Sequence, residues 1–255
     1  MTLHEKARLA AQVAREAGAM LLGSRDFKVT RKAAHDYVTE IDIACEKLIR
    51  EKLLAACPED GFYGEEGGGA EKAEGRWIVD PIDGTTNFIK DIPLYTISIA
   101  YEARGELVIG CVYAPALDEM YLAIQGEGAT RNGEAIRVSE VSDPETAVYG
   151  MSFAHRLQGS HDEMMGVLDR ICGRVNDLRR MGSAAFDLCC VACGRTEGFF
   201  ELGLHLYDIA AGVVILREAG GMVTGWAADE DVLQTGNICA TNGHTHAFLQ
   251  GILRG

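Results

Sequence analysis

An α+β layered sandwich is the fold class that this chain predicts, and three observations carry it. The N-terminal stretch repeats apolar residues at helical spacing. Between Tyr95 and Val138 several β-like runs follow one another, with turn residues between them. Beyond that point helical and strand patterns alternate to the end of the chain.

The first element is an amphipathic helix with Leu3, Ala7, Ala10, Val13 or Ala14, Ala17 and Leu21 on one face. A second helix is expected from about Val38 to Leu54, with Ile41, Cys45, Leu48 and Ile49 inward, ended by Pro58 and Gly61. "FYGEEGGG" reads as a short strand opening into a glycine-rich loop, and "RWIVD" as a buried strand that stops at Asp80. "YTISIAY", "ELVIGCVYA", "EMYLAI" and "AIRV" form an antiparallel meander, with "TAVYGMS" as a further strand. Helices follow at about Asp162 to Cys172 and Ala184 to Cys193. "GFFEL" then reads as a strand, and "YDIAAGVVILREAGG" as a buried helix closed by glycines. "NICATN" and "HTHAFLQGIL" complete the chain as a strand and a terminal helix.

With 255 residues, 47% of them hydrophobic, the chain can bury a sizeable core, as one domain or as two joined halves. The formal charge of −14 and the lack of a lysine and arginine run argue against direct nucleic-acid binding. Charges run through the N-terminal segment, unlike a signal peptide, and no apolar stretch is long enough to span a bilayer. The expectation is a soluble, cytoplasmic protein with no membrane partner. Eight cysteines scattered in apolar surroundings fit reduced core residues, and Cys190 and Cys193, although spaced C-x-x-C, have no second ligand pair.

The chemistry concentrates in "WIVDPIDGTTNF". Proline after Asp80 removes an N–H and biases the preceding backbone toward an extended form. The turn can bring Asp83 beside Asp80 and point the Ile82 carbonyl at the same spot, a hard-oxygen set suited to magnesium. Gly84 permits close backbone approach, and a short helix starting there would aim N–H groups at an anion. Thr85 adds a hydroxyl. Acidic residues elsewhere fit this picture: Glu65 or Glu66 in "YGEEGG", Asp42 at a helix start near Thr39 and Asp36, Glu201, and Asp208 at a helix N-terminus.

"GEE", "WIVDPIDGTTNF" and "YDIAAGVVILREAGG", in this order and spacing, resemble the inositol monophosphatase family of magnesium-dependent, lithium-sensitive phosphatases. The resemblance runs from "DYVTEID" to the terminal helix. It implies an αβαβα layered sandwich of the inositol monophosphatase and fructose-1,6-bisphosphatase type, a single domain over residues 1–255, and a homodimer. It implies a first magnesium held by Glu65, Asp80 and the Ile82 carbonyl, a second by Asp80, Asp83 and Asp208, and a weaker third helped by Glu65. Thr85, bonded to Asp42, would orient and deprotonate the attacking water. Backbone N–H groups of Gly84 and Thr85 would bind phosphate, while Glu201 and the main chain near Ala184 would meet substrate hydroxyls. Lys32 resembles a family lysine, one residue short in its spacing before Asp36. The segment Phe153 to Gly159 corresponds to a substrate-contacting region but departs from its pattern.

The reaction implied is hydrolysis of myo-inositol 1-phosphate to inositol and phosphate. Histidinol-phosphate phosphatase is a sister reading. "YDIAA" leans toward it, because tyrosine stands there in place of tryptophan. Thr86, Asn87 and Gly212 lean back. Fructose-1,6-bisphosphatase and adenosine-3′,5′-bisphosphatase activities also occur on this fold. A different class of role, as a protein-binding accessory to transcription or ribosomal-RNA machinery, occurs among bacterial relatives. No Ser–His–Asp or Cys–His arrangement competes, and His205 reads as a neighbouring or surface histidine.

Overall fold

The N-terminal spacing is realised as α1 (Leu3–Gly23), opened by a Thr2–Glu5 capping box. Its buried face holds Ala7, Ala10, Val13, Ala14, Ala17 and Leu21, while Leu3 lies at the exposed start of the helix. The computed structural model describes residues 1–24, 28–33, 36–69, 73–153, 160–227 and 229–255, with backbone alone at 31–33, 36–37 and 160. The side chains of Lys32 and Asp36, and residues 154–159 of the substrate-contacting segment, lie outside that description.

Helix α2 (Glu40–Ala56) begins later than Val38, because Val38 belongs to a hairpin of β1 (Val29–Ala33) and β2 (Asp36–Thr39). The larger sheet takes its strands in chain order: β3 (Gly61–Gly64), β4 (Gly75–Asp83), β5 (Thr96–Ala103), β6 (Glu106–Ala114), β7 (Glu119–Ile124), β8 (Ala129–Arg131) and β9 (Glu134–Ile136). Only the β3–β4 pair is parallel among its ladders. A short helix, α3 (Thr85–Ile89), leaves the end of β4 where the sequence expects one.

The smaller sheet has the order β11-β10-β12-β14-β13, built from β10 (Val148–Met151), β11 (Asp177–Arg179), β12 (Gly198–Glu201), β13 (Met222–Thr224) and β14 (Ile238–Thr241). The remaining helices are α4 (Ser160–Ile171), α5 (Ala184–Ala192), α6 (Leu206–Glu218), α7 (Val232–Thr235) and α8 (His246–Arg254). Strands β8, β11 and β13, each three residues long, carry too few side chains for an alternation to show in sequence.

Strand parity sorts the side chains of β4 and β12 among three cores. Trp77 and Val79 of β4 pack with α1 and α2, while Ile78 between them faces α5 and α6. In β12, Phe199 joins the α5–α6 core and Phe200 the outer core under α4 and α8. The layers are therefore α1–α2, large sheet, α5–α6, small sheet, α4–α8, the αβαβα order expected.

Close approach seats the middle helices. A Cβ on Gly110 of β6 would fall 2.3 Å from the Ala211 carbonyl oxygen of α6. One on Gly212 would fall 2.6 Å from Leu188 of α5. Because α6 cannot approach the sheet over a side chain at position 110, Gly110→Ala is expected to cost about 1–3 kcal/mol, read as a lower urea midpoint.

Candidate active site

The strand expected to stop at Asp80 instead runs on to Asp83 through a bulge. Asp80 pairs with Ser98, and the next paired residue, Asp83, faces Thr96. Three steps along β4 therefore match two along β5. In a regular strand, residues three apart point to opposite faces; the extra residue puts Asp80 and Asp83 on the same side. Pro81 sits inside the bulge, where no ladder donor is needed. The Ile82 N–H turns back to donate to Asp80 Oδ1 at 3.0 Å.

Three carboxylates meet there. Asp80, Asp83 and Asp208 are buried and place oxygens within 4.8 Å of one another. Each is held by different backbone. Asp83 lies over the first turn of α5, where Oδ2 accepts from Ser183 Oγ and Ala185 N–H at 2.7 Å, and Oδ1 from Ala184 N–H at 3.3 Å. Thr96 Oγ1 reaches Asp83 Oδ2 at 3.5 Å. Asp208, in the first turn of α6, accepts from the His205 N–H at 2.6 Å. Burial, then the charges of Glu65, Asp83 and Asp208, pushes the Asp80 carboxyl well above the usual carboxylate range.

These residues line a cavity of about 190 Å³ together with Glu65, Ile82, Gly84, Thr85, Ala184, Glu201, Arg180 and Phe153. Asp42 lies behind it, fully buried in the first turn of α2. Its Oδ2 accepts from the Thr39 N–H at 2.7 Å and its Oδ1 faces the Thr85 hydroxyl at 3.3 Å. The same hydroxyl is 3.1 Å from the Ile82 carbonyl, so its one proton has two acceptors. Burial raises the Asp42 carboxyl, opposed by the hydrogen bonds from Thr39. Carboxylates dominate the ligand atoms facing the cavity, with hydroxyls beside them and neither cysteine nor histidine among its described lining residues, which fits a hard divalent cation better than zinc or copper.

Glu65, Asp80, Ile82, Asp83, Gly84, Thr85, Ala184, Glu201 and Asp208 line this cavity and Asp42 stands behind Thr85, whereas Glu66 is not among the lining residues and His205 is exposed and caps α6 through its backbone. Gly84 has φ +94°, and a Cβ there would fall 3.0 Å from the Gly182 carbonyl and 3.1 Å from that of Leu94. Only glycine fits this turn. Three contributors, Ser183, Thr96 and Arg180, went unread, and Asn87 was read only as a pointer to the substrate. Asn87 is buried and donates to the carbonyls of Leu94 and Met181, tying α3 to the loop before α5. Ser183 and Thr96 hold Asp83. Arg180 lies over the Phe153 ring at 5.9 Å. Serine directly before an Ala-rich helix was a readable capping signal; the other three depend on contacts remote in sequence. Cys190 is buried and Cys193 half-buried, and all eight thiols are unbridged.

The chain is similar to known proteins over nearly its whole length. The model described as the inositol monophosphatase family matches residues 2–254. An inositol-1-monophosphatase of Mesorhizobium japonicum is 42% identical over 239 residues, covering 91% of this chain and 89% of that protein. The Nus factor SuhB of Vibrio cholerae is 39% identical over 258 residues, covering 98% and 96%. The crystal structure of the extragenic suppressor protein suhB of Bartonella henselae superposes with a TM-score of 0.94 at 38% identity, covering 98% of each chain.

The raised carboxyls set a pH dependence. Asp187, fully buried in the first turn of α5 with neither oxygen hydrogen-bonded among the described residues, is also pushed well up by burial, then by the charges of Glu201 and Asp83. Such groups keep a proton in the folded state where the unfolded chain has released it. Their stabilisation is present at acid pH and lost as pH climbs from about 4 through the raised values. Carboxylates held low, such as Glu119 beside Arg195, act oppositely, and only as pH falls below their usual range. In a chelator, the thermal midpoint should therefore fall between pH 5 and pH 8, and a divalent cation should restore it at pH 8.

Proposed function

Because the chain belongs to the inositol monophosphatase family and is a phosphatase of small phosphorylated substrates, we propose that it hydrolyses myo-inositol 1-phosphate to inositol and phosphate with magnesium. The observation that carries this reading is the convergence of Asp80, Asp83 and Asp208 within 4.8 Å beside the Ile82 carbonyl. In it, Glu65, Asp80 and the Ile82 carbonyl would hold one ion, Asp80, Asp83 and Asp208 would hold another, and Glu65 would help with a third. Bound magnesium supplies a water of lowered pKa, charge for the phosphate oxygens and stabilisation of the departing alkoxide.

The protein's own part is positioning and proton handling. Thr85 Oγ1 takes a proton from the attacking water and passes its own to Asp42 Oδ1, 3.3 Å away. Desolvation of Asp42 favours that acceptance. The Gly84 and Thr85 N–H groups bind phosphate oxygens, and Glu201 with the backbone at Ala184 receives substrate hydroxyls. Asn87, whose side-chain amide nitrogen donates to Leu94 and Met181, bears on substrate choice through the backbone it holds.

The 39% identity to a Nus factor SuhB supports a second role, docking on transcription machinery, alongside catalysis. A cytoplasmic homodimer, sensitive to lithium, completes the reading.

Phosphate release should be greatest with inositol 1-phosphate in a panel that includes histidinol phosphate, fructose 1,6-bisphosphate and 3′-phosphoadenosine phosphate, and should vanish in a chelator. Preference for another member would overturn the substrate assignment. Asp42→Asn and Thr85→Ala should each lower kcat by about 10²- to 10⁴-fold, measured at saturating magnesium.

A further inference from the structure

Glu46 is a buried carboxylate, 4% exposed, that takes no part in the chemistry described above. It follows Asp42 by one turn of α2 and so lies on the same helix face. Its two oxygens grip two consecutive amides of another segment. Oε2 accepts from the Glu66 N–H at 2.7 Å and Oε1 from the Gly67 N–H at 2.6 Å. On the other side of this grip stands Glu65, whose own N–H donates to the Val79 carbonyl of β4 at 3.2 Å. The backbone of Glu65 is thus tied on both sides, to the sheet and to α2.

The glycines around it report the same closeness. A Cβ on Gly64 would lie 2.3 Å from Glu46 Oε2, and one on Gly67 would lie 2.8 Å from Oε1. The loop runs against the carboxylate and leaves no room for side chains. Sinking an acidic group here costs desolvation, and charge-assisted bonds to two amides offset it. A leucine would fill the space and stabilise a helix equally well, but it would hold no amide.

We infer that Glu46 is a positioning residue for the metal site, clamping the Glu66–Gly67 backbone so that the Glu65 carboxylate is aimed at Asp80. This rests on the proposed role of Glu65 as a magnesium ligand. α2 then serves the site twice from one face, through Asp42 to Thr85 and through Glu46 to Glu65.

The test uses Glu46→Gln and Gly67→Ala in the full chain. Glutamine keeps the shape but sets an NH₂ against one of the two N–H groups. Gly67→Ala crowds the same carboxylate from the loop side and leaves every charge in place. Both should raise the Mn²⁺ dissociation constant about tenfold, read by electron paramagnetic resonance of free Mn²⁺. Half-maximal activation by magnesium should move by the same factor, with kcat at saturating magnesium close to that of the parent protein. Parent-like Mn²⁺ affinity in both variants would overturn the clamp. If Glu46→Gln fails to fold, Gly67→Ala decides in the same way. Weakened binding by Glu46→Gln beside parent-like binding by Gly67→Ala would also overturn it, since loss of a negative charge then accounts for the effect. A parent protein that binds no Mn²⁺ would instead refute the proposed function itself.

Discussion

Mutual repulsion of carboxylates is the constraint around which this molecule is arranged. Asp80, Asp83 and Asp208 are buried within 4.8 Å of one another, with Glu65 and Glu201 on the same cavity. Like charges so placed, away from water, either hold protons or need compensation. Helix ends supply part of it. Asp42, Asp83 and Asp208 accept backbone N–H groups at the starts of α2, α5 and α6 respectively. Each of those helix ends carries a partial positive charge from aligned peptides. The cations of the proposed function would complete what the helix ends begin.

The layering exists to bring those ends together. α5 and α6 lie between the two sheets, and their first turns open onto the cavity from above β4 and β5. Helices buried on both sides must be short of polar side chains, which is why α5 and α6 read as nearly continuous apolar sequence. The close seating of α6 on the sheet depends on Gly110 and its close packing against α5 on Gly212, so a core feature sets where Asp208 stands. Outer helix α2 reaches the same cavity from the opposite face of the large sheet. Asp42 meets Thr85 only because the chain turns sharply at Gly84, out of β4 and into α3.

The long elements were legible in the sequence because their periodicity is enforced over many residues. α1, the strands β5 to β7, and α6 fall close to their expected bounds. The candidate site was legible because carboxylates next to proline and glycine are unusual inside apolar runs. What escaped was of two kinds. The hairpin β1–β2 and the short strands β8, β11 and β13 are fixed by tertiary pairing, which leaves no alternation to read. The supports of the site, Thr96, Ser183, Asn87 and Glu46, are ordinary residues whose partners lie seven to 100 positions away. The continuation of β4 past Asp80 was missed because a proline reads as a strand stop, whereas here it occupies the one position where the ladder skips a bond.

That skipped bond makes the count of residues itself a determinant of chemistry. Two side chains on the same flank of a strand are ordinarily separated by an even number of steps, and the pair at 80 and 83 are not. Adding or deleting one residue between them would turn one acid to the reverse flank, among Trp77 and Val79, whatever the identity of the residue. Substitution can be absorbed here by degrees. A change in length cannot, and the segment behaves less like a loop than like a gauge block between two fixed stops.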